Sequence, residues 1–376
     1  MATVVDRWKS EPERRGHGKR WQVRYRDDAR HDRRRAFDRK ADAVRYAREV
    51  ERQLDIGTYR DPRAAAVTFE DFATGWLEVR YDLRPPTVSL YSGFIVNHLV
   101  PAFGHIPIGR LRSTHAREYM AAAKGRGMSD SLLRKTMVLA KSILKAAVGD
   151  SLIVTNPFDP VKLPRDKPRE MRYLTVEQLN DLLAAITPHY RCVVLVAAVL
   201  GLRWGEVCGL RPADLNLLRG QIRITGQLAE WDGLPQRVEP KTEASVRSVA
   251  IPGFIRAELE DQLSNRSSPE YLFTSTRGGP IRRSNFIRRH LHPALHAAGL
   301  EGYVFHELRH TAVSLAVEAG AHPQTIKDRL GHASITTTLN VYGHIMPGLD
   351  DRLAEQLDER LGEALAPQER PTAVNT

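Results

Sequence analysis

The chain has 376 residues, more than one compact core usually holds, so two or three domains are expected. Its formal charge of +11 and pI near 9.8 favour an anionic partner, either nucleic acid or a membrane surface. The longest strongly apolar run, Cys192 to Leu202, is far short of the ~18 residues of a membrane span, and "MATVVDRWKS" lacks a signal-peptide core. The only cysteines, Cys192 and Cys208, sit among apolar neighbours and read as buried free thiols rather than a disulfide framework. A soluble intracellular protein is the simplest expectation, with no membrane partner.

The first sixty residues hold 18 Lys and Arg against 11 Asp and Glu, most of the chain's excess charge. "WQVRYR" (21–26) alternates with period two, which predicts a strand with one apolar and one basic face, Arg24 and Arg26 on the latter. "RRRAF" (33–37) is a candidate partner strand. "DRKADAVRYAREVERQLDIG" then predicts a helix capped by Asp38, with a stripe of Val44, Ala47, Val50 and Leu54 and a stop at Gly57. One helix on a small sheet makes a marginal module. Its aromatic residues suit a core better than a disordered basic tail.

"RDPRAAAV" (60–67) reads as a linker. "TFED" (68–71) opens a helix with Phe69, Phe72, Trp76 and Leu77 at helical spacing, which Pro85-Pro86 should end. Helical patterns at 87–99, 114–123 and 130–148 complete a four-helix domain. "NPFDPVKLPRDKP" (156–168) reads as a second linker. "TVEQ" (175–178) is another capping box, so a helix should follow, and then comes the apolar segment 190–200 that Gly201 closes. "QIRITGQ" (221–227) and "SVRSVAIP" (245–252) alternate as strands around a polar loop. From 284 onward the patterns are helical, with breaks at Gly299, Gly320 and Gly331. "LDDRLAEQLDERLGEALA" carries Leu349, Leu353, Leu357 and Leu361 in one stripe of an acidic helix, and "PQERPTAVNT" reads as disordered. No internal repeat is present.

The expected fold class is therefore multidomain, mainly α with small β-sheets. A small β-sheet-plus-helix N-terminal module (1–62) precedes a helical domain (63–165) and an α+β domain (166–348). A C-terminal helix and tail (349–376) follow.

Several polar residues sit where local structure does not ask for them. Arg203 follows the most apolar helix, and Lys241 lies in the loop of the strand pair. His306 and Arg309 share a helix face, His332 follows "RLG", and Tyr342 lies ten residues later. Singly, each has an ordinary reading as a solvated charge, a cap or a core aromatic. Together they suit a phosphodiester. Guanidinium groups match phosphate oxygens bidentately and stay charged. A phenol with pKa ~10 needs a proton acceptor before it can attack, and a leaving sugar oxygen needs a donor such as lysine or histidine.

These residues resemble the tyrosine recombinases, the phage integrase family. "GLRWGE" (201–206) is similar to its first arginine box, with Arg203 catalytic and Glu206 in support. "PKTEASVRSVAI" resembles the hairpin lysine motif and supplies Lys241. "HELRH" resembles the H-x-x-R box and supplies His306 and Arg309. "LGH" supplies His332, and "NVYGH" supplies the nucleophile Tyr342. The resemblance covers about 170–346, and its implied domains are a helical core-site DNA-binding domain and an α+β tyrosine-recombinase catalytic domain. Residues 1–62 are similar, more weakly, to arm-site DNA-binding domains of larger integrases.

The resemblance implies attack by Tyr342 on the scissile phosphate, a 3′-phosphotyrosyl link and a free 5′-hydroxyl. Exchange then passes through a Holliday junction in a homotetramer on DNA. Arg203 and Arg309 would clamp the phosphate, Lys241 would protonate the leaving oxygen, His306 would act as general acid/base and His332 would donate a hydrogen bond. The ester energy stays in the covalent link, so no cofactor or metal is implied. The implied partners are double-stranded DNA attachment sites, a host DNA-bending factor and an excision-directionality factor, with a nucleoid-associated location in a bacterial cytoplasm. Arg282, Arg283, Arg288 and Arg289 in "IRRSNFIRRH" are candidate backbone contacts, or else a solvated helix face. The leucine stripe docks on a neighbouring subunit or on its own domain.

"HELRH" is also an H-E-x-x-H pattern, which can bind zinc. The extended zinc form fails, because Val313 and Ala316 stand where Gly and His belong, and Glu307 then reads as a solvated helix residue. Three readings compete with an integrase. They are a dimer resolvase or transposon recombinase of the same family, a type IB-like topoisomerase, and a non-catalytic DNA-binding regulator.

Overall fold

The computed structural model describes residues 2–27, 30–56, 59, 64–165, 171–240, 246–265, 268–331, 334–335, 354–355, 357–359 and 361. The chain divides into two compact units, Met1–Lys167 and Pro168–Thr376. The first unit holds two separate apolar cores.

In the first core, β1 (Thr3–Asp6), β2 (Trp21–Arg26) and β3 (Asp32–Phe37) form an antiparallel sheet in the order β1-β2-β3. A single turn, α1 (Arg7–Ser10), follows β1, with Asp6 accepting from Trp8 N at its start. Helix α2 (Lys40–Asp55) packs on the sheet, burying Ala43, Ala47 and Val50 against Val23, Tyr25 and Tyr59. The two anticipated strands are present, but β1 was not legible, because "TVVD" has no alternation and is a strand only by pairing with β2. Asp38 does not cap α2. Arg39 holds the N-cap position without a side-chain bond, and Asp38 is ion-paired to Lys19 at 3.8 Å. Ala47, Val50 and Leu54 lie on the packed face as expected, and only the first position of the stripe differs, with Ala43 buried rather than Val44. Gly57 lies outside the described residues.

The second core is built from α3 (Phe69–Glu78), α4 (Pro85–Phe94), α5 (Val100–Phe103), α6 (Ser113–Gly125) and α7 (Asp130–Gly149). Thr68 caps α3, its Oγ1 accepting from Asp71 N at 3.2 Å. The prolines do not end α3, which stops at Glu78. Pro85 instead opens α4, where its missing N–H costs nothing. A π-helical turn, Ile95–Leu99, joins α4 to α5 ahead of Pro101. Proline lacks the N–H for the preceding turn, and the wider turn carries the helix past it. The expected second linker is in part core. Phe158 is fully buried, Val161 packs beside it, and Asn156 donates to Lys141 O and accepts from Phe158 N.

The second unit begins with α8 (Val176–Ala185), capped by Thr175 and Gln178 in a reciprocal box. Next comes α9 (Arg191–Leu200), which is apolar nearly all round and buried. Each fully buried Val or Leu contributes about 1.5–3 kcal/mol relative to exposure. Gly201 ends α9 at φ +69, where a Cβ would lie 2.3 Å from Leu330 Cδ2. The short α10 (Trp204–Cys208) follows. Strands β4 (Leu215–Asn216), β5 (Gln221–Ile224) and β8 (Arg247–Ala250) pair antiparallel in the order β4-β5-β8. The segment between β5 and β8, read as a polar loop, contains a further hairpin of β6 (Gln227–Trp231) and β7 (Leu234–Val238). Its polar composition and Pro235 conceal it from an alternation test.

The unanticipated α11 (Gly253–Ser264) leads to α12 (Arg283–Phe286), a second π-helical turn at Ile287–Leu291 ahead of Pro293, and α13 (His292–Ala297). Then come α14 (Glu307–Glu318), packed on α9, and α15 (Pro323–Leu330). Gly299, Gly320 and Gly331 all have positive φ at the expected breaks. Cys192 and Cys208 are free and buried, and burial pushes the Cys192 thiol up to about 12. Leu357 and Leu361 are about half exposed, at 47% and 45%, while Leu349 and Leu353 lie outside the described residues. No helix among the described residues is long and apolar enough to cross a membrane.

Candidate active site

The site grows from the end of α9. Gly201 turns the chain, Leu202 is buried, and Arg203 takes the N-cap position of α10. The third helical residue is Glu206, whose Oε2 accepts from Arg203 N at 2.8 Å. This is the carboxylate half of a capping box, and arginine has no acceptor for the other half. The same spacing brings Glu206 Oε1 to 3.0 Å from Arg203 Nη1, so one local rule fixes both backbone and guanidinium.

Glu206 is 5% exposed and has a second partner. Arg247 of β8 reaches it with both arms, Nη1 to Oε1 and Nη2 to Oε2, each at 3.0 Å. Burial alone would raise the Glu206 carboxyl. The hydrogen bond and charge of Arg247, then the backbone bond and charge of Arg203, outweigh it and hold the pKa below the usual value. Removing one partner of such a buried pair typically costs about 3–5 kcal/mol.

Arg309 lies on α14 with only 3% of its surface exposed. Its Nη1 donates to Gly201 O at 2.5 Å and its Nη2 to Leu330 O at 2.7 Å. The other arginines meet adjacent carbonyls. Arg247 Nε donates to Arg329 O at 2.7 Å, and Arg203 Nη2 to Gly331 O at 3.4 Å. Three successive carbonyls at the end of α15 thus each receive one guanidinium. The last carbonyls of a helix have no intrahelical donor and carry the negative end of its dipole, so they suit cations. Gly331 closes the helix at φ +66, and a Cβ there would lie 3.1 Å from Arg247 Nη1.

Arg203 and Arg247 both bond the Glu206 carboxylate, and Arg309 stands near enough to feel all three charges. Burial first, then Arg203 and Arg247, pushes the Arg309 pKa down to about 9, so it is still charged at neutral pH. The Arg203 side chain is 39% exposed and can reach an incoming ligand.

His306 stands at the N-cap of α14, with its surface open to solvent. The packing beneath it, followed by His310, Arg309, Arg203 and Arg283, lowers its pKa below the ordinary imidazole value. His310, one turn on, packs edge-on at 5.4 Å between ring centroids, and its pKa is also lowered, chiefly by burial. Trp204 packs on Phe286 and Phe305, each at 4.9 Å, which locks α10 to α12 and to the turn before His306.

Glu307 is not solvated, contrary to the sequence reading. It is 7% exposed, accepts from Val304 N at 2.7 Å and receives both Arg172 Nε and Nη2 at 3.2 Å. Arg172 also covers the Tyr303 ring at 4.2 Å. A carboxylate so committed is a helix-start anchor and not a general base beside zinc. No group of three or more metal-ligating side chains occurs among the described residues.

The structure therefore brings together Arg203, Glu206, His306 and Arg309. Lys241, His332 and Tyr342 lie outside the described residues, although His332 directly follows Gly331. Arg282, Arg283, Arg288 and Arg289 are exposed on and beside α12. In the N-terminal sheet Arg24 donates to Gln22 at 2.7 Å and lies opposite Arg34, and Arg26 pairs with Asp32 at 3.1 Å. Sequence reasoning missed Arg247 and Arg172. For Arg247 a signal existed, because it shares the strand face of buried Val249, an inward position where a charge needs a partner.

The described residues thus form a cationic, partly buried cluster beside an imidazole of lowered pKa, on a mainly helical scaffold. Residues 172–347 match the phage integrase family, and residues 68–124 match the phage integrase N-terminal SAM-like domain. The chain belongs to the phage integrase family and is a tyrosine-type site-specific DNA recombinase. The integrase of Mycobacterium phage L5 is 27% identical over 345 residues, covering 86% of this chain and 89% of that protein. The ICEBs1 integrase of Bacillus subtilis (strain 168) is 25% identical over 332 residues, covering 84% and 90%. Among solved structures, the Tn1549 transposon integrase in complex with a circular intermediate DNA is similar at a TM-score of 0.65. It is 22% identical and covers 78% of this chain and 99% of that one. A lambda integrase dimer bound to a core site reaches 0.58 at 18% identity, covering 85% and 91%. These likenesses establish the fold.

Proposed function

We propose that this chain is an integrase of a phage or integrative element, and that Tyr342 cleaves DNA by forming a 3′-phosphotyrosyl bond. The observation that carries this reading is the guanidinium cluster at the end of α15, one residue ahead of His332. Attack on a phosphodiester adds charge at phosphorus, and preorganised donors at a site of excess positive charge stabilise it most where the charge develops. Arg203 and Arg309 clamp the phosphate, with Glu206 holding Arg203. His306 takes the phenol proton, which requires it to be neutral, and His332 donates to a phosphate oxygen. Lys241 protonates the leaving 5′-oxygen. The freed 5′-hydroxyl of a partner duplex reverses the step, and two rounds through a Holliday junction in a homotetramer exchange both strand pairs. Residues 63–165 hold the core site, and a host DNA-bending factor and an excision-directionality factor bias direction. The protein acts on the host nucleoid.

The test is covalent trapping. The protein is mixed, in EDTA, with nicked duplexes from DNA flanking its gene, and a denaturing gel is read for a protein–DNA adduct. An adduct is expected. Tight binding with no adduct on any such duplex would favour the regulator reading.

The lowered pKa of His306 gives a pH prediction. Cleavage should lose rate only below the ordinary histidine value of about 6.5. Arg283 is one of the cations holding that pKa down, so Arg283→Gln should move the acid limb of cleavage to higher pH. A limb that stays in place would mean that Arg283 does not set the His306 pKa.

Residues 1–62 are read as a second DNA-binding module, with Arg24 and Arg26 on the sheet. One chain would then bridge two DNA sites and gain effective concentration rather than a new contact. Deleting 1–62 should spare cleavage of a core-site duplex and reduce full integration by on the order of 10²-fold. Equal integration by the truncated protein would refute the bridge.

A further inference from the structure

We propose that Arg247 is a positioning residue of the strand-cleavage site, setting the orientation of Arg203 through Glu206 while anchoring the last turn of α15. The inference rests on the recombinase reading and deepens it. Arg247 lies on β8, far in sequence from both elements that it joins. Its Nη atoms take the two oxygens of Glu206 at 3.0 Å each, and its Nε takes Arg329 O at 2.7 Å. The side chain is only 7% exposed, so it does not meet substrate.

The consequence follows from what Glu206 does. Its Oε1 receives both Arg203 Nη1 and Arg247 Nη1, and its Oε2 receives Arg203 N and Arg247 Nη2. Arg247 therefore fixes the plane of the carboxylate, and that plane fixes the Arg203 guanidinium. Arginine alone among cationic side chains is a planar fork that can grip both oxygens and still present Nε to a third acceptor. A lysine would keep the charge but not the plane. At its other end the bond to Arg329 O ties β8 to the turn whose next two carbonyls hold Arg309 and Arg203. Gly331 accommodates this approach, since a Cβ there would stand 3.1–3.3 Å from three atoms of Arg247. The charged groups facing Glu206 are Arg203 on its own helix, Arg247 from β8 and Arg309 from α14. Without Arg247, a buried carboxylate keeps one close partner and is more easily protonated.

The experiment compares full-length wild type, Arg247→Met, Arg247→Lys and the double variant Glu206→Gln/Arg247→Met. Three readouts are the rate of covalent adduct formation on the nicked duplex, DNA affinity, and amide hydrogen exchange without DNA. Arg247→Met should slow adduct formation by about 10²-fold, the scale of losing one preorganised donor, while its affinity changes by less than about tenfold. Its rate should rise with pH through an ionisation absent from wild type, and the double variant should lose that ionisation. Arg247→Lys should restore the wild-type pH profile but stay slow. Exchange at 203–207 and 329–331 should rise in both single variants. That arm needs no substrate, so it tests the clamp even if wild type forms no adduct, the result that counts against the recombinase reading instead. The proposal is overturned if Arg247→Lys cleaves at the wild-type rate, or if Arg247→Met loses binding and cleavage in equal proportion. Unchanged exchange at both segments would overturn it as well.

Discussion

Replacing Tyr342 by phenylalanine should leave DNA binding intact and abolish the covalent adduct. The substitution removes one oxygen from the chain and nothing from the phosphate clamp. Arg203, Arg309 and Arg247 keep the carbonyls they bond at the end of α15. Affinity on a core-site duplex should therefore stay within about tenfold of wild type. The rate of adduct formation should fall by at least ~10⁴-fold, the scale on which loss of an enzyme nucleophile is felt. A phenol is barely ionised at neutral pH, so on the proposed mechanism it needs a neutral base, for which His306, with its lowered pKa, is the proposed residue. If Tyr342→Phe still forms an adduct, another residue is the nucleophile and the assignment fails.

The second large effect is expected at Arg309. Two of its five donors are spent on Gly201 O and Leu330 O, which hold the guanidinium in one place. Arg309→Lys can satisfy one of those carbonyls. The other would be left buried and unpaired, a cost of about 1–3 kcal/mol. The substitution keeps the charge and adds no bulk, so the variant should fold. Cleavage should nonetheless fall by about 10²–10³-fold, because a point charge does not reproduce the fixed fork.

Charge gives a second test at the same position. A guanidinium stays protonated across the working pH range, and burial beside Arg203 and Arg247 lowers its pKa without discharging it near neutrality. Lysine starts from a lower ordinary value of about 10.4, and the same surroundings would lower it further. Cleavage by Arg309→Lys should therefore fall away at alkaline pH where wild type does not. A loss smaller than about tenfold in Arg309→Lys, or an alkaline profile like that of wild type, would remove Arg309 from the clamp.

Local rules made much of this site legible. The three-residue spacing from Arg203 to Glu206 is a helix-start pattern, and a helix-start bond is what holds it. Gly201 and Gly331 end their helices in the left-handed conformation that glycine favours, and those ends supply the carbonyls that Arg309 bonds or flank them. His306 and Arg309 fall on one side of α14 because the helix repeats every 3.6 residues. These features depend on a few neighbouring residues, and so does most of the helix list.

What only the tertiary structure decided involves partners far apart in the chain. Arg247 meets Glu206 across 41 residues, and Arg172 meets Glu307 across 135. No local spacing encodes such pairs, because strand register and helix packing choose them. The same holds for Glu307, which looks solvated on a polar stretch until Arg172 and the Val304 amide enclose it. It holds for β1 and for the β6–β7 hairpin, whose short or polar strands exist through cross-strand hydrogen bonds rather than through a pattern of their own. The sequence by itself determined the family and, through a helix-start spacing, the pairing of Arg203 with Glu206. Packing decided how the arginines share one carboxylate and three carbonyls, because buried charge is stable only where the folded chain supplies every partner.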